Sequence, residues 1–430
     1  MREMKDSNVN WLNAIPCEWA LSRIKYVLNE RIEKNDPIKT KDILSLTAKQ
    51  GVIPLSKKQG GGNKPKEDFT AYKLAYPNDI VVNSMNILSG SVGLSKYFGC
   101  VSPVYYMLRP FNDNFDVRYF NYIFQTKVFQ LSLFGLGNGI LIKESGNGKF
   151  NTIRMRIPME KFGNLLIPVP NKKEQQQIAD YLDTQCSEID ATSEDIQKEI
   201  SLLEEYKKSV ITEAVTKGLN PDAEMKDSKI FYLGKINKTW NLTKVGYCCK
   251  KLYRPFEPSD EALVCSNKGK VVPRGDTLIG LMTSDDNAMQ GICKGDIAIH
   301  GMDTWHGAIA CSDYDGKITR VVHVCKADGD NRFVVYWLQH LAFVGVYKLI
   351  SNGVRGNTSD FRSWDKVADI YVPNPIKEEQ QQIADYLDTK CSEIDSLIAD
   401  KKRQLDILAD YKKSLIYEYV TGKKEVPVNE

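Results

Sequence analysis

Apolar residues recur at alternating spacings of three and four in two long stretches of the chain. In the first, Leu182, Cys186, Ile189, Ile196, Ile200, Leu203, Val210 and Ala214 mark one stripe, interrupted at Ser193 and Lys207. In the second, Leu387, Cys391, Ile394, Ile398, Leu405, Leu408 and Leu415 repeat it. This spacing is a heptad seam and predicts two α-helices that each bury one edge against another helix. Pro170 and Pro375 fix the starts, and Gly218 and Gly422 the stops. Each helix then runs for about 45 residues, or roughly 65–70 Å at about 1.5 Å per residue. Outside them, Asp79-Ile80 and Asp296-Ile297 read as strand starts. The apolar run Phe333 to Ile350 carries Gln339, His340 and Lys348, which lipid would penalise, so it reads as a buried amphipathic helix.

The two helical stretches share one phrase almost unchanged and stay in ungapped register at an offset of 205. EQQQIADYLDTQCSEID, Glu174 to Asp190, returns as EQQQIADYLDTKCSEID, Glu379 to Asp395, and only Gln185 and Lys390 differ. Fainter matches extend the duplication upstream. Trp19 pairs with Trp240 at an offset of 221, while Asp79, Met85 and Gly90 pair with Asp296, Met302 and Gly307 at 217. Arg118 pairs with Arg332 at 214, and Ile167-Pro168-Val169-Pro170 answers Val372-Pro373-Asn374-Pro375 at 205. The falling offset places length differences between anchors, where surface loops tolerate them. Near-identity in one half of a repeat and loop variation in the other imply helices that show one surface to one kind of partner. The globular halves then face two different targets.

These observations give an α+β architecture with internal pseudo-twofold symmetry: two globular domains joined by two long helices that form an antiparallel coiled coil. The expected boundaries are 1–170 and 219–375 for the globular domains, 171–218 and 376–421 for the helices, and 422–430 for a flexible tail. A length of 430 residues accommodates this plan. Ten cysteines without a CxxC pair fit a reduced, cytoplasmic protein, and four histidines make a structural zinc site a poor reading. A net charge of +3 is too small to announce a nucleic-acid binder, and any DNA affinity would have to come from local patches or from partners.

The arrangement resembles the specificity subunit of type I restriction-modification systems, over essentially the whole chain. The resemblance is carried by the opening Ile15, Pro16 and Trp19, by the run from Asp79 to Pro110, by the Ile167-Pro168-Val169-Pro170 exit, and above all by the doubled helix phrase. The second half departs from the pattern: its opening lacks the proline, and Gly301-Met302 replaces Ser84-Met85. The resemblance implies that each globular half is a target recognition domain reading one half-site of a split DNA sequence, with the gap set by the helices. It further implies two adenine-N6 methyltransferase subunits as partners, joined by restriction/translocase subunits, in the cytoplasm of a bacterium or archaeon and away from any membrane. S-adenosylmethionine, ATP and Mg2+ would belong to those partners, and this chain would bind no cofactor or metal.

Candidate DNA-binding residues in the first domain are Lys57, Lys58, Asn63 and Lys64 in a glycine-rich basic loop, and Lys143, Asn147, Lys149, Arg154 and Arg156 within 139–156. In the second they are Lys268, Lys270 and Arg274, read as phosphate contacts, and Asn352, Arg355, Asn357 and Arg362 in a polar loop over 351–362. Lysines release counterions at phosphates, whereas arginine and asparagine pair with guanine and adenine edges. The partner face is expected at Gln175, Gln176, Gln177 and Tyr181 and at Gln380, Gln381, Gln382 and Tyr386. No Asn-Pro-Pro-Tyr-like tetrapeptide and no P-loop lysine motif occurs, so the chain reads as a non-catalytic recognition subunit. A self-contained nuclease or methyltransferase, or a coiled-coil scaffold with two protein-binding heads, would be the alternatives.

Overall fold

The computed structural model describes residues 2–47, 50–58, 67–137, 156–275, 286–351 and 360–427. It divides into two compact units, residues 1–195 with 404–430 and residues 196–403. The border falls inside each long helix rather than at its ends. A helix contacts itself only over about four residues, so lateral packing decides which unit each half joins.

Unit 1 is built on a four-stranded antiparallel sheet of β1 (Leu28–Arg31), β2 (Ile80–Asn83), β3 (Val92–Leu94) and β4 (Tyr105–Pro110), in the order β1-β4-β2-β3. One face packs on the helix α1 (Val117–Gln125), whose Tyr119, Phe120, Ile123 and Phe124 are buried. The other face carries a hairpin, Leu44–Thr47 with Gly51–Pro54. The opening strand Ala20–Arg23 pairs with the exit strand Leu166–Val169, so the chain leaves the domain beside where it entered. The helix α2 (Lys172–Lys217) begins there.

Unit 2 repeats this plan. Strands β5 (Cys249–Lys251), β6 (Ile297–His300), β7 (Ile309–Cys311) and β8 (Val322–Ala327) lie in the order β5-β8-β6-β7. The hairpin Leu263–Ser266 with Lys270–Pro273 covers one face and α3 (Asn331–Phe343) the other. The apolar run expected as one helix is two, because Gly345 adopts φ 78° and a separate turn, Val346–Ile350, follows it. Exit strand Tyr371–Asn374 pairs with Asn241–Lys244 and delivers α4 (Lys377–Val420).

Within each unit the two long helices run antiparallel. In unit 1, Ile178, Leu182, Cys186 and Ile189 share a core with Leu415, Ile416, Tyr419 and Val420, and Lys412 holds both oxygens of Asp190 at 2.6 and 2.7 Å. In unit 2, Val210, Ile211, Ala214 and Val215 pack with Ile383, Ala384, Leu387 and Cys391, and Lys207 meets Asp395 at 2.7 Å. The second pair is the first with the helices exchanged, as a direct repeat in antiparallel register requires. Residues 422–427 are not free of the domain, as a flexible tail over 422–430 would require; residues 428–430 lie outside the described residues. Gly422 is buried against Pro16 and Trp19, Glu425 lies 3.5 Å from Arg2, and half-buried Val426 packs against the core.

Candidate nucleic-acid interface

Each sheet is braced by one buried carboxylate. Asp79, at the foot of β2, takes two hydrogen bonds from Arg31, at 2.9 and 3.2 Å, and one from the Tyr76 backbone. Asp296, at the foot of β6, takes two from Arg254 at 2.5 and 2.8 Å and one from the Cys293 backbone. A carboxylate removed from water needs this full set of donors. The recurring Asp-Ile pairs are therefore frame, as expected.

At the other end of the same strands sits the motif that differs between the halves. Asn83 Oδ1 accepts the backbone N–H of Met85 at 3.0 Å. His300 replaces it, with Nδ1 accepting from Met302 and Asp303 at 3.3 and 3.1 Å, which leaves the proton on Nε2. Burial lowers the His300 pKa. Next to this turn the candidate loops return. Ile157 donates its N–H to Ser84 O and receives Tyr106 Oη on its carbonyl at 2.8 Å. Phe361 donates to Gly301 O and receives His323 Nε2 on its carbonyl at 2.7 Å. Gly301 is required there: a Cβ would stand 2.8 Å from Phe361 O and 3.0 Å from Val321 O. The departure from Ser-Met to Gly-Met thus records a closer approach of the returning loop.

These anchors place the ends of both expected reading loops on matching strand ends. Arg156 is exposed one residue before Ile157. Arg362 is 57% exposed, one residue after Phe361, with its Nε 3.8 Å from Asp360. Lys366 bonds the same carboxylate and holds its pKa below the usual range. Lys143, Asn147, Lys149 and Arg154, and Asn352, Arg355 and Asn357, lie outside the described residues, as do Asn63 and Lys64. Lys57, exposed, and Lys58, half-buried, follow the first hairpin beyond Pro54, and Arg274 follows the second directly after Pro273. Lys268 and Lys270 stand exposed at the tight turn of that second hairpin, where Gly269 takes φ 67°. Lys57, Lys58, Lys268, Lys270 and Arg274 make no ion pair with a described residue.

The expected partner face needs correction at two positions. Gln175 is 1% exposed: its Nε2 donates to Pro170 O at 2.8 Å and its Oε1 accepts the Asp116 N–H at 2.9 Å. Gln380, 5% exposed, does the same with Pro375 O and Asp330 N–H at 2.9 and 3.1 Å. Both glutamines clamp the helix to its own domain and are closed to a partner. Other identities in the repeated phrase are held from inside as well. Glu174 and Glu379 accept the indole N–H of Trp19 and Trp240 at 3.0 and 3.1 Å. Arg118 bridges Asp116, Asp180 and Asp183, and Arg332 bridges Asp330, Asp385 and Asp388. Tyr122 and Tyr336 donate to Asp183 and Asp388, each at 2.7 Å. The recurrence of Arg118 and Arg332 in sequence was the signal for this cluster. Gln176, Gln177, Gln381, Gln382 and Tyr386 are exposed, while Tyr181 is half-buried with its ring 4.6 Å from that of Tyr419.

Among the described residues no helix is long and apolar enough to cross a membrane. Residues 16–202 match the family model for the type I restriction modification DNA specificity domain. The MjaVIII type I restriction enzyme specificity subunit of Methanocaldococcus jannaschii is 25% identical over 373 residues, 81% of each chain. The MjaX specificity subunit of the same organism is 27% identical over 281 residues, 61% of this chain and 60% of that one. A solved chain from a study of type I restriction-modification complex assembly and conformational transition superposes with a TM-score of 0.66 at 13% identity, covering 95% of this chain and 99% of that one. Over most of its length the chain is similar, in sequence and in fold, to specificity subunits of type I restriction-modification systems, and residues 16–202 carry the match to their DNA specificity domain.

Proposed function

We propose that this chain reads a bipartite DNA target, one half-site per unit, on behalf of two adenine-N6 methyltransferase subunits. The observation that carries the reading is the pairing of anchors. Ser84 with Tyr106, and Gly301 with His323, fasten loops of unlike sequence to like strand ends, so one frame offers two different surfaces. Exposed cations on or beside the hairpins supply phosphate contacts, which position the protein, and the returning loops supply base contacts, which specify the sequence. The helix pair fixes the number of base pairs between half-sites, and the exposed residues of the repeated phrase dock the methyltransferases. Restriction/translocase subunits join when cleavage is licensed. S-adenosylmethionine, ATP and Mg2+ serve those partners, in the cytoplasm, while this chain contributes recognition without catalysis.

Mapping of modified adenines in a genome expressing this chain with its methyltransferase tests the reading. Modified sites should fall in a two-part sequence with a constant gap, and Arg355→Ala should relax one part only. Removing one heptad from each helix at facing positions shortens the pair by about 10 Å, so the gap should shrink by about three base pairs. An unchanged gap would overturn the ruler. Methyl transfer by the purified chain alone would overturn the non-catalytic role.

A further inference from the structure

At the edge of the unit 2 sheet, Lys251 is held by rings and by no carboxylate. Its Nζ lies 5.0 Å from the Tyr253 ring centroid and 6.0 Å from that of Trp364. No ion pair reaches it from the described residues. Aromatic faces attract an ammonium but do not cancel its charge, so the cation is oriented and still available. Tyr253 is 80% exposed. An exposed ring alone is ordinary; here the ring lies over a cation that no described carboxylate neutralises, near the anchor of the returning loop. That proximity is built through the core: the Trp364 ring meets His323 edge-to-face at 5.7 Å, and His323 Nε2 donates to Phe361 O, the anchor of the returning loop.

Unit 1 handles the same place differently. Glu30 faces Leu108 as Lys251 faces Cys325 in the equivalent pair of strands. A cation is present there too, because Lys73 lies 5.7 Å from the ring centroid of Tyr106, the counterpart of His323. That cation is neutralised by Glu30 at 3.3 Å and spends a further hydrogen bond on Tyr105 O. Two residues beyond Glu30 stands Ile32, 66% exposed, where unit 2 has Tyr253. The frame is the same, yet only unit 2 leaves the charge open and adds an aromatic cover.

We infer that Lys251 and Tyr253, backed by Trp364, are a further DNA contact of unit 2: the ammonium meets a backbone phosphate and the tyrosine ring lies against the adjoining deoxyribose. The inference rests on the DNA-reading function proposed above and adds residues outside the hairpin and the loop. A phosphate contact positions without reading sequence, so its loss weakens all targets alike.

The test uses the full chain assembled with its methyltransferase subunits, and duplexes carrying the intact target, a target altered in either half, or unrelated sequence. Lys251→Met keeps the stem and removes the charge. It should weaken binding to every duplex by a similar factor and lower the slope of log affinity against log salt by about 0.9. Lys251→Arg should restore the slope. Tyr253→Ala, at an exposed site, should reduce affinity severalfold and leave the melting temperature unchanged. Glu30→Gln in unit 1 frees Lys73 from its carboxylate and should steepen the slope. If Lys251→Met and Tyr253→Ala both keep wild-type affinity and slope while wild type binds its target specifically, Lys251 serves only as an edge-strand lysine and the inference is overturned. If wild type itself shows no preference among the duplexes, the DNA-reading function fails instead.

Discussion

Units 1 and 2 hang the same strand order on the same helix register, yet they fasten their loops with different chemistry. Where unit 1 uses Asn83, Ser84 and Tyr106, unit 2 uses His300, Gly301 and His323, and the hydrogen bonds made are equivalent. Where unit 1 neutralises Lys73 with Glu30, unit 2 leaves Lys251 between two rings. In the repeated helix phrase, Glu174 to Asp190 and Glu379 to Asp395, by contrast, identity itself is retained. The difference teaches what each part must satisfy. A loop anchor needs one donor or acceptor at one place, which several side chains supply. Residues of the repeated phrase serve the domain on one side and the solvent face on the other, and near-identity follows from both demands.

The comparison can be broken most forcefully at the buried carboxylates. Arg31→Met strands Asp79 without its guanidinium and should cost unit 1 about 3 kcal/mol, the scale of breaking a buried pair from one side. Arg254→Met should do the same to unit 2. Native-state hydrogen exchange should locate each loss in its own unit, and a loss spread equally over both would contradict the division into two compact units.

Acid should separate the units next, because all four histidines, 300, 306, 323 and 340, belong to unit 2. Burial lowers the pKa of His300 and His323 and takes His340 down to about 4. Unfolded histidine titrates near 6.5, so between about pH 6.5 and 4 the unfolded state binds protons that the folded state refuses. Stability is therefore full above that window and lost as pH falls through it, on the order of 3 kcal/mol from His340 alone. Exchange measured at pH 7.5 and at pH 5 should show unit 2 losing protection while unit 1 keeps its own. His340→Gln should remove most of the effect.

Exchanging the anchors is a gentler probe. Gly301→Ser drives a side chain toward Phe361 O and Val321 O and should destabilise unit 2 by about 1–3 kcal/mol, the range for overpacking. Ser84→Gly loses only the hydroxyl's bond to Val104 O, with a cost of about 1 kcal/mol. A larger cost for Ser84→Gly than for Gly301→Ser would show that loop approach does not explain the glycine. The smallest effect is expected at exposed Gln381. Gln381→Ala should change the melting free energy by no more than about 0.5 kcal/mol. A drop in recovery of the methyltransferase complex, without loss of stability, would mark that glutamine as a docking residue, whereas Gln380→Ala should destabilise unit 2 before any partner is added.

Much of this was legible in the chain. The heptad stripe, the doubled phrase and the four anchors gave the helices, the two globular halves and their equivalence. The recurring Asp79 and Asp296 were legible as frame, although their partners Arg31 and Arg254 were not, because the two arginines sit at different offsets from the aligned frame. Gln175 and Gln380 misled for a related reason. A polar residue between exposed neighbours reads as surface, and only the backbone of the domain that the helix enters shows that it is enclosed. The break at Gly345 was hidden because an apolar run carries no mark for one glycine taking a positive φ.

Sequence by itself settled what depends on periodicity and repetition: heptad spacing makes a helix bury one stripe, and a direct repeat of that stripe fixes antiparallel equivalence once the copies pair. Tertiary structure alone decided which polar groups are enclosed, which cations are neutralised and where the ends of the loops are fastened. Those outcomes are set by residues distant in sequence that meet across strands and domain walls, and no local pattern encodes such a meeting.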